Sequence, residues 1–267
     1  MLQANFSTMS IHPTAIIDPN ATLGQNVTVG PYTVIHAPVT IGDGTSIGSH
    51  IVIHPYVQLG AQNKIHSYVV IGDLPQDLSF DKNIETWVSI GDRNILREGV
   101  TIHRSTHPNC PTKIGNDGYF MAYSHIAHDC SIGNHVILTN NALLGGHVEI
   151  GDRAVLGGSS VIHQHARIGA YVMVQGNGSV GQDVFPYTIV GGHPVSHYRL
   201  NVVGLRRGGI QGHRYQILEQ AFWQLRNGNR DLSNLENTPE ITYLRDWLLV
   251  KSKRGFHRFA IEKEDQK

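Results

Sequence analysis

Aliphatic residues recur at every sixth position over most of the chain, and this period constrains the fold more than any other feature. One run goes from Ile11 through Ile17, Leu23 and Val29 to Ile71. A second comprises Ile90, Leu96 and Ile102, and a third goes from Ile114 through Phe120 and Ile126 to Val180, making 26 anchors in all. A six-residue unit cannot bury its own apolar side, so neighbouring units must stack. Three short strands and three bends then close one coil of eighteen residues. The hexads predict a parallel β-helix of triangular section, with eight or nine coils and a length of roughly 40 Å at a strand spacing of ~4.8 Å.

The slots of the hexad differ in composition. The position after the anchor is Gly in 14 of the 26 units, as at Gly24, Gly42, Gly133 and Gly169. Glycine there is expected to supply positive-φ bends. The fifth slot is mostly small or β-branched, as at Ala15, Val27, Cys130, Ala142 and Ala154, which suits extended backbone around a narrow interior. Two stretches break the register, GDLPQDLSFDKNIETWVS (72–89) and HRSTHPNCPTK (103–113). Loops that interrupt a rigid scaffold are where function concentrates.

The period stops near residue 197, which divides the chain into a solenoid (1–197) and a small α-helical domain (198–267). HRYQILEQAFWQLRNG places Tyr215, Leu218, Ala221, Phe222 and Leu225 on one helical face and ends near Gly228. TPEITYLRDWLLVKSKRGF reads as a further helix, with Pro239 early and Gly255 late. The two domains differ in charge. Residues 1–198 hold 8 Lys+Arg against 13 Asp+Glu, whereas residues 199–267 hold 13 against 8. A basic tail suits an acidic partner, although a solvated helical surface has the same composition.

Cys110 and Cys130 form no CxxC or disulfide framework, which suits a reducing compartment. The opening MLQANFSTMS lacks the charged and apolar regions of a secretory leader, and no window approaches the 18 or so apolar residues of a membrane span. A cytoplasmic protein is expected.

Register also sorts the histidines, of which there are 17. His12, His36, His54, His66, His103 and His163 occupy the slot usually filled by Gly, so a structural role is the default for most of them. His125, His128 and His147 fall elsewhere in the unit. In the unbroken third run, His128, His147 and His163 line up near one corner of successive coils, together with Gly145, Gly146 and Gln164. Asp129 follows His128 and could orient its imidazole, but adjacent residues of extended backbone face opposite ways unless the bend relaxes that rule.

Three roles compete for this constellation. Zinc bound by interfacial histidines, as in trimeric γ-class carbonic anhydrases, uses an ordinary imidazole ligand. However, His125 and His128 share one strand and bend, and that class has no need of a helical tail. A purely structural solenoid would present regular polar faces, not irregular loops and scattered histidines. Group transfer with His as general base accounts for both the loops and the tail, and no nucleophile motif such as G-x-S-x-G is present.

The hexads resemble those of the hexapeptide-repeat acyltransferases, whose β-helix is left-handed. QDLSF, IGDRNILREGVTIHRST, HIAHDCSIGN, NNALLGGHVEIGD, VIHQHARIGAYVMV and NVVGLRRGG together resemble the UDP-N-acetylglucosamine O-acyltransferase family of the lipid A pathway, over nearly the full chain. The resemblance implies transfer of an R-3-hydroxyacyl group, 3-hydroxydodecanoyl or 3-hydroxytetradecanoyl, from acyl carrier protein to the 3-hydroxyl of UDP-N-acetylglucosamine. Another hexapeptide acyltransferase is the alternative.

In that resemblance His128 matches the general base, Asp129 its support and the Gly146 N–H an oxyanion donor. His125, His147 and His163 match substrate-site histidines, and Gln76 and Asp77 match sugar contacts. Gln164, Asn201 and Arg207 match nucleotide-side groups, and Gly176 falls where acyl length is set. Ser79 stands where lysine is common in the family. The resemblance further implies a homotrimer with sites between neighbouring prisms, no metal, no nucleic-acid partner, and no cofactor other than the 4′-phosphopantetheine arm of the carrier.

Overall fold

The computed structural model describes residues 10–260. The outer limits of the two expected domains, 1 and 267, lie outside the described residues. Within them, short parallel strands form three faces. Ten strands run from Ser10–Ile11 to Thr188–Gly191 on the first face, nine from Ile16–Ile17 to Ser179–Val180 on the second, and eight from Thr22–Leu23 to Arg167–Ile168 on the third. Ile47 pairs with Ile65 and Leu138 with Leu156, so equivalent slots of successive coils stack in register.

The interior is built from two slots of the hexad. Anchors such as Ile126, Leu138 and Leu144 and fifth-slot residues such as Cys130, Ala142 and Ala154 are at most 1% exposed. Each large anchor contributes roughly 1.5–3 kcal/mol by leaving water. Small fifth-slot side chains are required because the strands of the three faces converge on a narrow lumen.

The positive-φ expectation for the glycine slot is corrected. Positive φ occurs three positions after the anchor, at residues such as Asn26, Tyr68, Asp117, Asp129, His147 and His165. Among the described residues, Gly72 is the one glycine of the slot after the anchor with positive φ, where the coil opens into the first excursion. The other glycines are selected for space. A Cβ on Gly42 would lie 2.5 Å from the carbonyl carbon of Gly60 in the next coil.

Both excursions leave at the same corner, the one following the second face. Their strand-free stretches are 74–87 and 104–111, slightly shorter than the sequence breaks. Ile71 pairs with Ile102, and Ile102 with Ile126, so the register resumes after each loop.

Parallel growth ends where Thr188–Gly191 pairs antiparallel with Ser196–Leu200. The expected boundary at 197/198 therefore falls inside a strand. Among the described residues three helices follow: α1 (Val202–Arg207), which the sequence period does not reveal, α2 (His213–Arg226) and α3 (Pro239–Leu249). Asn227 caps α2, and Gly228 follows at φ 81°. In α3, Thr238 Oγ1 accepts from the Ile241 N–H at 3.3 Å, with Pro239 in the first turn. The helix stops before the expected Gly255, because residues 250–260 turn back along the solenoid, with bridges Asp183–Phe256 and His197–Phe259.

A second core of Phe185, Tyr187, Leu218, Phe222 and Ile241 joins the helices to the last coil. The buried pair Arg167–Asp183 (2.8 Å) lies beneath Trp247 at the same junction, with the guanidinium 4.3 Å from the ring centroid. Among the described residues no helix is long and apolar enough to cross a membrane.

Candidate active site

The corner that releases both loops also carries His128, Asp129, His147 and His165. Asp129 has φ 60°, a left-handed conformation that short polar residues tolerate better than most. That bend removes the strand alternation, and His128 Nδ1 lies 2.7 Å from Asp129 Oδ2. The second loop completes the shell around the carboxylate. Ser105 Oγ donates to Oδ1, the Thr106 N–H donates to Oδ1 at 2.9 Å, and Thr106 Oγ1 donates to Oδ2 at 2.7 Å.

Burial alone would raise the Asp129 pKa. The hydrogen bonds from His128, Ser105 and Thr106 outweigh it and hold the carboxyl far below the usual range. An ionised carboxylate can only accept, so Nδ1 carries the imidazole proton and Nε2 is left as the basic atom.

Gly146 sits against this imidazole. A Cβ there would be 2.5 Å from His128 Cε1 and 2.7 Å from Nε2, so no larger residue fits. Its carbonyl accepts from His165, while its own N–H has no partner among the described residues. A cleft of about 450 Å³ opens at this point, lined by Gln76, His125, His128, Leu143, Gly146, Val161, His163 and Gln164.

His147 lies edge-on to His128 at 5.2 Å, and its Nε2 is 3.6 Å from Asp129 Oδ2. Burial lowers its pKa, with Asp129 opposing. The ring stacked on His147, at 4.4 Å, is His165 and not His163. His165 was readable as the residue one coil after His147. His125 Nδ1 is 2.7 Å from Thr101 Oγ1, and burial, followed by His103 and His128, pushes its pKa down to about 4. It is neutral at physiological pH.

In the first loop, Asp77 is held by the N–H and hydroxyl of Ser79 at 2.8 and 2.7 Å, which lowers its pKa. Ser79 thus fixes the carboxylate conformation. The remaining expected residues lie away from this corner, Gly176 at another corner of the coil and Asn201 and Arg207 on α1. Gly176 faces Gly158, whose carbonyl oxygen a Cβ would approach to 3.2 Å. Asn201 is 7% exposed and caps α1, accepting from the Gly204 N–H at 3.1 Å and donating to the Tyr171 carbonyl at 2.8 Å. That capping role is not evident from the sequence. Arg207 is exposed in the last turn of α1. One chain therefore gathers the histidines, Gln76, Gly146 and Gln164, but not Gly176, Asn201 or Arg207.

The ligand atoms of His128, Asp129 and His147 lie within 4.8 Å of one another, close enough for a metal ion. Asp129 already accepts three hydrogen bonds from Ser105 and Thr106 besides its contact with His128, so a metal would have to displace bonds that the loop supplies. Sequence reasoning missed Ser105 and Thr106 because loop residues follow no period. Their one signal was the hydroxyl-rich HRST directly after a coil strand.

A coil of hexads with a polarised histidine at a corner cleft defines a hexapeptide-repeat acyltransferase, and the profile of bacterial transferase hexapeptide repeats matches residues 20–50 and 111–146. The profile described as UDP-N-acetylglucosamine O-acyltransferase, domain 2, matches residues 183–257. The acyl-[acyl-carrier-protein]–UDP-N-acetylglucosamine O-acyltransferase of Cupriavidus necator is 54% identical over 239 residues, covering 88% of each chain, and that of Leptothrix cholodnii is 46% identical over 231 residues, covering 86% of each. The solved UDP-N-acetylglucosamine O-acyltransferase of Moraxella catarrhalis superposes with a TM-score of 0.86 at 36% identity, covering 94% of this chain and all of its own. The Campylobacter jejuni UDP-N-acetylglucosamine acyltransferase gives 0.86 at 33%, with the same coverage. The chain belongs to the acyl-[acyl-carrier-protein]–UDP-N-acetylglucosamine O-acyltransferase family, and its β-helix is left-handed.

Proposed function

We propose that the chain transfers an R-3-hydroxyacyl group from the 4′-phosphopantetheine arm of acyl carrier protein to the 3-hydroxyl of UDP-N-acetylglucosamine, the first step of lipid A biosynthesis, as a cytoplasmic enzyme. The observation that carries this reading is the pairing of a basic His128 Nε2 with the unpartnered Gly146 N–H at one end of the cleft.

His128 Nε2 takes the proton of the sugar hydroxyl as its oxygen attacks the thioester carbonyl. Asp129 fixes the tautomer and stabilises the imidazolium that forms. Negative charge moves to the carbonyl oxygen, where the Gly146 N–H stabilises it by roughly 3 kcal/mol. Collapse expels the thiolate of the carrier arm, which takes the proton back from the imidazolium. The proton balance closes without a metal or a covalent enzyme intermediate.

Gln76, Asp77, His125, His147, His163 and Gln164 are assigned to the acceptor and donor near the reacting atoms, and Asn201 and Arg207 to the nucleotide. Gly176 is assigned to the acyl end, with room for a 3-hydroxydodecanoyl or 3-hydroxytetradecanoyl chain. The separation of Gly176, Asn201 and Arg207 from the His128 corner within one chain supports a homotrimer in which neighbouring prisms complete each cleft. The exposed basic surface around Arg206 is assigned to the acidic carrier.

The direct test is acyl transfer to UDP-N-acetylglucosamine from a series of 3-hydroxyacyl carrier proteins. Absence of an O-acylated sugar nucleotide with every donor would refute the reaction. Activity abolished by chelators and retained in His128→Ala would favour a metal-dependent chemistry instead.

A further inference from the structure

The excursion that carries Gln76 and Asp77 is fastened to the solenoid in an unusual way. Among the described residues, every hydrogen bond made by residues 75–84 stays within the loop or reaches only its immediate neighbours, as in Phe80 N–H to the Asp77 carbonyl (3.1 Å), Ser79 to Asp77 and Asn83 to Asp81. None reaches a coil. Residues 75–84 are organised internally, whereas Glu85, near the loop's second root, lies against the Tyr56 hydroxyl on the coil.

Arg104 ties the middle of the loop to the same coil residue. The residue is 6% exposed. Its guanidinium carbon lies 5.2 Å from the ring centroid of Tyr56, on the coil, and 5.8 Å from that of Phe80, in the loop. Among the described residues it forms no ion pair, and its Nε has no hydrogen-bond partner. Burial lowers its pKa, opposed in part by Tyr56 and by the carboxylates of Asp73 and Glu85, and the two ring faces add to what compensates the buried cation. A planar, weakly hydrated guanidinium suits that setting, whereas a lysine ammonium does not.

The backbone of Arg104 is rigidly placed. Its N–H donates to the Asp73 carbonyl at 3.0 Å, and the Ser105 N–H donates to the Trp87 carbonyl at 3.3 Å, so the two roots of the first loop are held on either side. Ser105 also donates to Asp129. Arg104 thus stands between the shelf that orients the catalytic pair and the loop facing it.

We propose that Arg104 is a positioning residue that sets the placement of the 74–87 loop over the cleft by holding Phe80 against Tyr56, and thereby presents Gln76 and Asp77 to the acceptor sugar. The last clause rests on the assignment of Gln76 and Asp77 as acceptor contacts, whereas the tie itself does not.

The test uses the full-length enzyme with Arg104→Met, Arg104→Lys, Phe80→Ala, the Arg104→Met/Phe80→Ala double variant and Gln76→Ala. The two Arg104 variants and Phe80→Ala are expected to raise KM for UDP-N-acetylglucosamine on the order of tenfold, as expected of displaced binding groups, with kcat and the carrier KM unchanged. The double variant should be no worse than the poorer single variant. Amide hydrogen exchange should quicken across 74–87 and stay unchanged in the coils.

Additive effects in the double variant, or unchanged exchange in the loop, overturn the tie. If Arg104→Met does not fold, Arg104→Lys and Phe80→Ala carry the same comparison. If Gln76→Ala leaves the acceptor KM unchanged while loop exchange quickens in the Arg104 variants, the acceptor assignment fails and the tie stands. A raised acceptor KM in Gln76→Ala, with Arg104→Met unchanged in both readouts, overturns the tie and leaves the acceptor assignment standing.

Discussion

His128 Nδ1 lies 2.7 Å from the carboxylate of the next residue in the chain, Asp129. Such neighbours ordinarily face opposite sides of a strand. The contact exists because the coil turns at Asp129 with positive φ, and because Ser105 and Thr106 hold the carboxylate in place. The proposed base and its orienting carboxylate thus occupy one hexad, and a loop from the preceding coil locks them.

His128→Ala should lower kcat by about 10²–10⁴, the range for loss of a positioned general base, while the coil still folds because the anchors and fifth-slot residues that build the interior are untouched. Asp129→Asn should lower kcat as well, since an amide able to donate no longer enforces the Nδ1–H tautomer. Near-normal turnover in His128→Ala would remove His128 from the mechanism, and in Asp129→Asn would remove the orienting role of Asp129.

Gly146→Ala is expected to be as damaging as loss of the base, although it adds one methyl. That methyl would come within 2.5 Å of His128 Cε1, so the ring must move from its place beside the Gly146 N–H. The variant should fold, and kcat should fall by at least about 10², in keeping with loss of one oxyanion donor. A crystal structure of the variant would show whether the imidazole is displaced.

The acid sensitivity of the fold should depend on His197. Its side chain is fully buried, Nε2 accepts from the Phe185 N–H at 3.0 Å, and burial pushes its pKa down to about 4. Between roughly pH 6.5 and 4 the unfolded chain binds this proton and the folded one does not, so stability falls as pH falls through that window, on the order of 3 kcal/mol in total. Urea unfolding of His197→Asn should show a smaller loss between pH 7 and pH 5 than the parent. An identical pH slope would assign the sensitivity to other buried histidines.

Gly176→Leu should shift the preferred donor toward shorter 3-hydroxyacyl chains. The glycine lies at a corner where a side chain meets only the Gly158 backbone, so added volume points outward into space assigned to the acyl end. Mass spectrometry of products from mixed donors reads this directly, and an unchanged distribution would place the ruler elsewhere.

Carrier docking is expected to involve Arg206, exposed in the last turn of α1. Arg214 is a weaker candidate than its charge suggests, because Glu240 engages its guanidinium. Arg206→Glu should raise the carrier KM at low salt, and the difference should shrink at high ionic strength as screening sets in. No effect at low salt would free this surface from that role.

Much of the site was legible because the period converts sequence distance into adjacency. His128, Gly146 and Gln164 recur one coil apart, and register alone brought them together. The loops resist that logic. Nothing periodic announces that Ser105 and Thr106 reach Asp129, or that Arg104 stacks between Tyr56 and Phe80. The glycine slot misleads for a related reason, since composition cannot distinguish a residue chosen for its dihedral angle from one chosen because the next coil lies too close for a Cβ.

The sequence by itself determined the coil: anchors at every sixth position and small fifth-slot residues leave one way to hide the apolar side, and burial is a pattern that repeats locally. Only the tertiary structure decided the chemistry of the corner. A polarised imidazole, an unpartnered Gly146 N–H and a loop held by Arg104 depend on dihedral angles and non-periodic contacts, which exist only once the coils have stacked and the excursions have closed over them.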